Sequence, residues 1–385
     1  MPTFPAAIRS RLPNVGTTIF TVMSQMAHDA GAINLSQGFP DFQAEDALFE
    51  RVAHWMRAGA NQYAPMAGVP SLREAIVAKV EALYGARYDV ADEVTVVAGA
   101  TQGLFTAIAA MVSPGDEVIV FEPVYDSYVP AIELQGGVVV RAVLGAPDYR
   151  PDWAQVAALV TPRTRMIMIN TPHNPTATVW TSEDMRALEA LLRGTDIVVV
   201  ADEVYEHIVF DGRRHESVMR YPGLAERSFV VSSFGKTYHV TGWKVGYVLA
   251  PRALMSEFRK VHQFNVFTVA TPLQFALADY MGDASRYLGL PAFYQDKRDR
   301  FAALMRASRF ELLPSAGTYF QLAAYRQISD QPDTDFTRYL IREAGVAAIP
   351  VSAFYADRRD DRVIRFCFAK NAETLVAAAE RLVRL

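Results

Sequence analysis

From residue 94 onward the chain repeats one motif: a short apolar run, then a segment with apolar residues at helical spacing. The runs fall at 94–97, 117–121, 137–140, 165–169, 196–200 and 229–231, with helical stretches such as 102–112 and 182–193 between most of them. A strand with one wet face alternates apolar and polar residues, and these runs do not alternate. They require cover on both faces of the sheet. Helices interposed between strands return the chain to the same end of the sheet, so neighbouring strands run parallel. The expected fold is α/β, with a mostly parallel central sheet covered by helices on both faces.

Ligands of such sheets gather outside the carboxyl ends of the strands. One run ends in Gly99, Ala100, Thr101, Gln102 and Gly103, and the next in Glu122, Pro123, Val124 and Tyr125. Others end in residues 170–175, which include Asn170, His173 and Asn174, and in residues 201–205, which include Asp202 and Tyr205. The last ends in Ser232, Ser233, Phe234, Gly235 and Lys236. Glycines, an aromatic ring, an amide, an acid and a lysine at the same end of one sheet point to a single shared site. A lysine at a strand end among small residues lies close to packed core. Burial there disfavours its ammonium form and frees a nucleophilic amine, whereas a surface lysine would snorkel into water. Gly235, Lys236 and Thr237 also resemble the end of a phosphate-binding P-loop. That motif needs a second glycine five positions before Gly235, where this chain has Val230 inside the strand.

Composition narrows the function classes. At 385 residues the chain is long enough for two domains. Its net charge of -4 gives no footprint for nucleic acid or an acidic membrane. One cysteine, Cys367, cannot form an internal disulfide and fits a reducing compartment. The first residues lack the apolar core of a signal peptide, and no apolar run reaches the length of a membrane span. The expected location is cytoplasmic.

The flanks differ in texture. An arm precedes a helix over 17–30, a short strand at 33–42 runs into a loop, and 47–58 is helical. Ser71 and Glu74 have the spacing of a capping box for the next helix. Beyond about residue 275 come a long helix over 294–308, strands of period two at 318–323 and 362–368, and helices at 335–344 and 372–385. This reads as a smaller α+β domain. The expected division is 1–37 as arm and part of the small domain, 38–275 as the large domain and 276–385 as the rest of the small one.

The segments 34–42, 170–175, 202–205 and 232–246, in this order and spacing, resemble the fold-type-I aminotransferases that use pyridoxal 5'-phosphate (PLP). The likeness covers nearly the whole chain and is nearest to bacterial methionine aminotransferases and the related kynurenine–oxoglutarate and glutamine aminotransferases. It implies that Lys236 forms the Schiff base with the cofactor aldehyde and then shuttles a proton at the substrate. Asp202 matches the acid that keeps the pyridine nitrogen protonated, so that the ring acts as an electron sink. Tyr205 and Asn174 match hydrogen-bond partners of the phenolic oxygen, and Tyr125 the ring stacked on the pyridine. Ala100 and Thr101 at a helix start, Ser233 and Lys244 match the phosphate cradle, where Lys244 replaces an arginine fork with a point charge. Tyr63 matches a residue that reaches the phosphate from the neighbouring subunit, which implies a homodimer with shared sites. Arg365 matches the clamp on the substrate α-carboxylate, with the Gly38 backbone as a second contact. From strand period alone, Arg365 shares a face with Cys367 and would sit on the wet side of a half-buried strand. By the same resemblance Phe20, Tyr125 and, from the other subunit, Phe267 line the side-chain pocket.

The resemblance implies a transaminase that moves an amino group from a hydrophobic, sulfur-containing or aromatic amino acid, methionine foremost, to a 2-oxo acid. Two other readings use the same scaffold. A cysteine-S-conjugate β-lyase would share Lys236 and Asp202 and differ only in products. A non-catalytic PLP-binding regulator would need an added DNA-binding segment, for which the short arm before Thr17 leaves no room. His173 and His207 have no partners at metal-ligand spacing and read as structural, and Cys367 reads as packing. No metal or membrane partner is expected.

Overall fold

The structure, a computed structural model, describes residue 4 and residues 6–385. A seven-stranded sheet dominates it. Its strands lie in the spatial order Val94–Val97, Gly246–Leu249, Ser228–Ser233, Val198–Asp202, Thr164–Asn170, Glu117–Glu122 and Val138–Val143. All neighbours pair in parallel except Gly246–Leu249, which is antiparallel to both of its partners. Successive residues feed opposite cores, which explains the unbroken apolar runs. Val118 and Val120 pack with Leu104, Ile108 and Phe258, while Ile119 and Phe121 point into the core that holds Ile76, Leu188 and Leu277. The edge strand Val138–Val143 is the exception, with Val138 and Val143 exposed at its ends.

A four-stranded antiparallel sheet forms the second layer system, in the order Ile349–Pro350, Val363–Cys367, Phe320–Ala324 and Glu311–Leu312. Helices Leu290–Leu304 and Ala372–Leu382 cover it. The N-terminal helix Ile19–Asp29, capped by Thr18, packs on Ile341, Ile349 and Phe354, and Ile33–Asn34 pairs in parallel with Val346–Ala347. Helix Ile19–Asp29 and strand Ile33–Asn34 thus pack with the C-terminal part of the chain. Helix Thr271–Met281 runs past the expected boundary at residue 275 and packs on Asp46–Arg57 and Pro70–Tyr84. No helix among the described residues is long and apolar enough to cross a membrane.

Several local expectations are corrected. Ser71 does not cap the third helix. That helix begins at Pro70, whose fixed φ and missing N–H suit its first turn, and Val69 precedes it with no side-chain cap. The capping box lies instead at Thr181 and Asp184, ahead of Ser182–Leu192. The long helix starts at Leu290, four residues before the expected 294, because Pro291 opens it. Strand Val363–Cys367 is buried on both faces, not half wet, because one face packs on Phe301 and Phe310 and the other closes over the end of the large sheet.

Candidate functional site

The tip residues converge on one cavity at the carboxyl end of the large sheet. Ala100, Thr101, Tyr125, Asn174, Asp202, Tyr205, Ser233, Lys236 and Lys244 all line it. Strand Ser228–Ser233 passes into a single helical turn, Phe234–Thr237, that carries Lys236. Gly235 is obligatory in that turn, because a Cβ would stand 2.9 Å from the Thr241 Cα. The Lys236 amine donates to the Tyr319 hydroxyl at 2.8 Å and to the Gly38 carbonyl at 3.2 Å. Burial pulls its pKa down to about 8; the positive charges of Lys244 and Arg365 act in the same sense, and Asp202 opposes them.

Asp202 ends strand Val198–Asp202 and is buried. The Tyr128 hydroxyl donates to one carboxylate oxygen at 2.5 Å, and the Val204 amide donates to the other at 3.3 Å. Burial raises its pKa to about 6 despite these donors. Three tips are stitched together beside it. Asn170 donates to the Asp202 carbonyl at 2.8 Å and accepts from the Asn174 amide at 2.7 Å, and the Asn174 side-chain oxygen accepts from Arg365 at 2.5 Å. Tyr205 is buried with its ring edge-on to Tyr319 at 5.1 Å. Burial pushes the Tyr125 phenol up to about 12, so it stays neutral.

The opposite end of the cavity gathers positive potential. Gly99, at φ +81, turns the chain into helix Ala100–Met111, whose first amides have no side-chain cap. A Cβ on Gly99 would stand 3.3–3.4 Å from the end of the Lys244 side chain. Gly246 is equally constrained, because a Cβ there would stand 2.5 Å from the Ser232 carbonyl. Free helix amides, a lysine and the Ser233 hydroxyl therefore share one rim.

Arg365 is 1% exposed, and its guanidinium carbon stands 3.8 Å from the Phe320 ring centre, with Phe354 at 5.3 Å and Phe20 at 5.5 Å. Its second contact is the Ser36 carbonyl at 3.4 Å, its Nε has no partner, and burial lowers its pKa to about 10. A buried guanidinium held only by neutral groups has unused capacity for a carboxylate. Gly38 lies alongside, where a Cβ would stand 2.9 Å from the Phe320 ring.

Five expected residues are not among those lining this cavity: Gly38, Arg365 and Phe20, described above, and Tyr63 and Phe267. Tyr63 is 83% exposed, and its ring meets the 37% exposed Phe267 edge-on at 5.4 Å. His173 hydrogen-bonds Thr176 at 2.7 Å, His207 packs on Tyr287 at 5.1 Å, and burial pushes both down to about 3. Cys367 is buried, which raises its thiol pKa. Sequence reasoning missed Tyr128, Tyr319, Phe320 and Phe354. Tyr128 follows the Tyr125 tip by one turn and offered a signal; the others come from the second sheet region and offered none.

The class I and II aminotransferase family model matches residues 30–382. Methionine aminotransferase of Escherichia coli (strain K12) is 54% identical over 382 residues, 99% of each chain. Kynurenine–oxoglutarate transaminase 1 of Rattus norvegicus is 33% identical over 407 aligned positions, 97% of this chain and 96% of the relative. A crystal structure from Escherichia coli described as a methionine aminotransferase superposes with a TM-score of 0.96 at 53% identity, covering 99% of this chain and 100% of that one. The fold, the convergent strand tips and these likenesses agree: the chain belongs to the class I and II aminotransferases and is a transaminase.

Proposed function

We propose that this transaminase works with PLP in the cavity and takes methionine and aromatic amino acids as preferred donors. The residues fit the cofactor. Free amides at the start of helix Ala100–Met111, Ser233 and Lys244 suit a phosphate, and Asp202, buried without a salt-bridge partner among the described residues, suits a protonated ring nitrogen. Tyr205 and Asn174 would hold the ring hydroxyl, and Tyr125 would cover the ring face. When bound, PLP supplies an aldehyde that exchanges amino groups and a ring that accepts electrons from the substrate Cα. Arg365 and the Gly38 amide hold the substrate α-carboxylate. The Lys236 amine, neutral in a substantial fraction near its pKa of about 8, would take the proton from the substrate Cα and shuttle it between the substrate and the bound cofactor.

One observation carries the donor preference. The cation that clamps the α-carboxylate is ringed by Phe20, Phe320 and Phe354. An acidic side chain buried among such rings without a second cation costs several kcal/mol, about a thousandfold in rate or more. A thioether gains roughly 0.3–1.5 kcal/mol from sulfur–ring contacts. Catalytic efficiencies for methionine, phenylalanine, glutamine and aspartate, with one fixed 2-oxo acid, test this. Methionine should exceed aspartate by about a thousandfold, with glutamine between them. Aspartate in first place would reverse the pocket assignment.

The exposed pair Tyr63–Phe267 supports a homodimer in which each chain lends these rings to its partner's cavity. Thr271 donates to the Gln62 carbonyl at 2.6 Å and so holds the two surface loops together. Tyr63→Phe should weaken PLP retention by about tenfold to a hundredfold, the worth of one hydrogen bond to a charged group. Sedimentation should show a dimer. A fully active monomer would contradict this.

A further inference from the structure

Tyr319 stands in no motif, yet it is one of the two groups that hold Lys236. It is fully buried, and its hydroxyl also donates to the Gly38 carbonyl. Lysine amine, tyrosine hydroxyl and glycine carbonyl therefore close a triangle. The backbone that presents Tyr319 is fixed. Thr318 has φ 63, and Gly317 has no room for a side chain, since a Cβ would stand 2.7 Å from Val179 and 2.8 Å from the Ile208 carbonyl. The Gly317 amide donates to the Ala177 carbonyl at 3.0 Å and the Thr318 amide to the Ile208 carbonyl at 2.9 Å, which ties this segment to the large sheet's loops. The Tyr319 ring is wedged edge-on to Tyr205 at 5.1 Å and against Tyr294 at 5.8 Å. The hydroxyl thus occupies one place, and the amine is aimed at it.

We propose that Tyr319 is a positioning residue for Lys236: its hydroxyl, anchored on the Gly38 carbonyl, holds and orients the amine whenever that amine is free to carry a proton. This rests on the reading of Lys236 as the reacting lysine. A buried ammonium needs an acceptor for each donor, and the triangle supplies two. Removing the hydroxyl leaves a charged donor facing a ring edge, which favours the neutral amine and loosens its aim. The other groups facing the amine are Asp202 and Cys367, which favour its charge, Lys244 and Arg365, which oppose it, and neutral Tyr205. Tyr319→Phe leaves all of them in place.

The test uses two readouts on Tyr319→Phe, with Tyr294→Phe as control, because the Tyr294 hydroxyl bonds His239 at 3.0 Å and not Lys236. In cofactor-free protein, the pH profile for labelling of Lys236 by trinitrobenzenesulfonate, followed by peptide mass spectrometry, should shift acid-ward by roughly half to one pH unit in Tyr319→Phe. In the holoenzyme, kcat with methionine should fall about tenfold to a hundredfold while KM changes little. The control should move neither. An unmoved labelling midpoint with kcat within about twofold of wild type would overturn the proposal and make Tyr319 a packing residue. Turnover retained in Lys236→Ala would instead overturn the reading of Lys236 itself, and the proposal with it.

Discussion

Replacing Lys236 with alanine should abolish transamination and leave a folded protein that still retains PLP. Proton transfer by a positioned side chain contributes roughly a hundredfold to ten-thousandfold, and the Lys236 amine is held in the cavity by the Gly38 carbonyl and the Tyr319 hydroxyl. On the proposed reading the same change also removes the group that would exchange with the substrate amine, so both steps should fail together. Folding should survive, because the truncation takes away a cation whose burial already disfavours its charge, and Tyr319 keeps its bond to Gly38. Cofactor retention should survive because the groups at the phosphate end, at the start of helix Ala100–Met111 and at Ser233 and Lys244, are separate from the amine. Steady-state turnover with methionine, the cofactor's absorbance after gel filtration and a thermal melt check the three parts. Near-wild-type transamination would remove Lys236 from its role.

The large sheet was legible because its runs, the edge strand Val138–Val143 excepted, serve two cores. Val118 and Ile119 cannot both be apolar on a strand with a wet face, so the doubly covered sheet follows from the residues alone. Its carboxyl end then collects Lys236, Asp202, Asn174 and the Gly99 turn with little further choice. Other features turn on geometry that local pattern does not encode. Ser71 and Glu74 have capping-box spacing, but Pro70 starts the helix two residues before the position a Ser71 cap would give. The period-two reading put Arg365 on a wet face, and only the closure of the second sheet over the first buries it among Phe20, Phe320 and Phe354. Tyr319 reaches Lys236 from 83 residues away through that same closure, so nothing near either residue announces the contact. The resemblance supplied Arg365 and Tyr63; periodicity supplied neither.

Asp202→Asn should cost far more in rate than in binding. The two carboxylate oxygens each already accept one hydrogen bond, from the Tyr128 hydroxyl and the Val204 amide. An asparagine keeps the shape but has one acceptor oxygen, so its amide nitrogen must face one of these donors or the cofactor ring with its own hydrogens. More important is the lost charge. On the proposed reading, a carboxylate in this buried place would favour a proton on the ring nitrogen of bound PLP, which would matter most as negative charge develops at the substrate Cα. The interaction is therefore weighted toward the transition state. Losing a preorganised electrostatic partner of this kind costs about a hundredfold to a thousandfold in kcat, and the proposed phosphate end should still hold the cofactor. Asp202→Glu would keep the charge but drive an extra methylene against Tyr128 in a closed site, so it tests packing and not charge. The measurement is kcat and KM for methionine with Asp202→Asn, alongside cofactor content. A change confined to KM would make Asp202 a binding residue, and a variant that lost its cofactor outright would place its main contribution in retention.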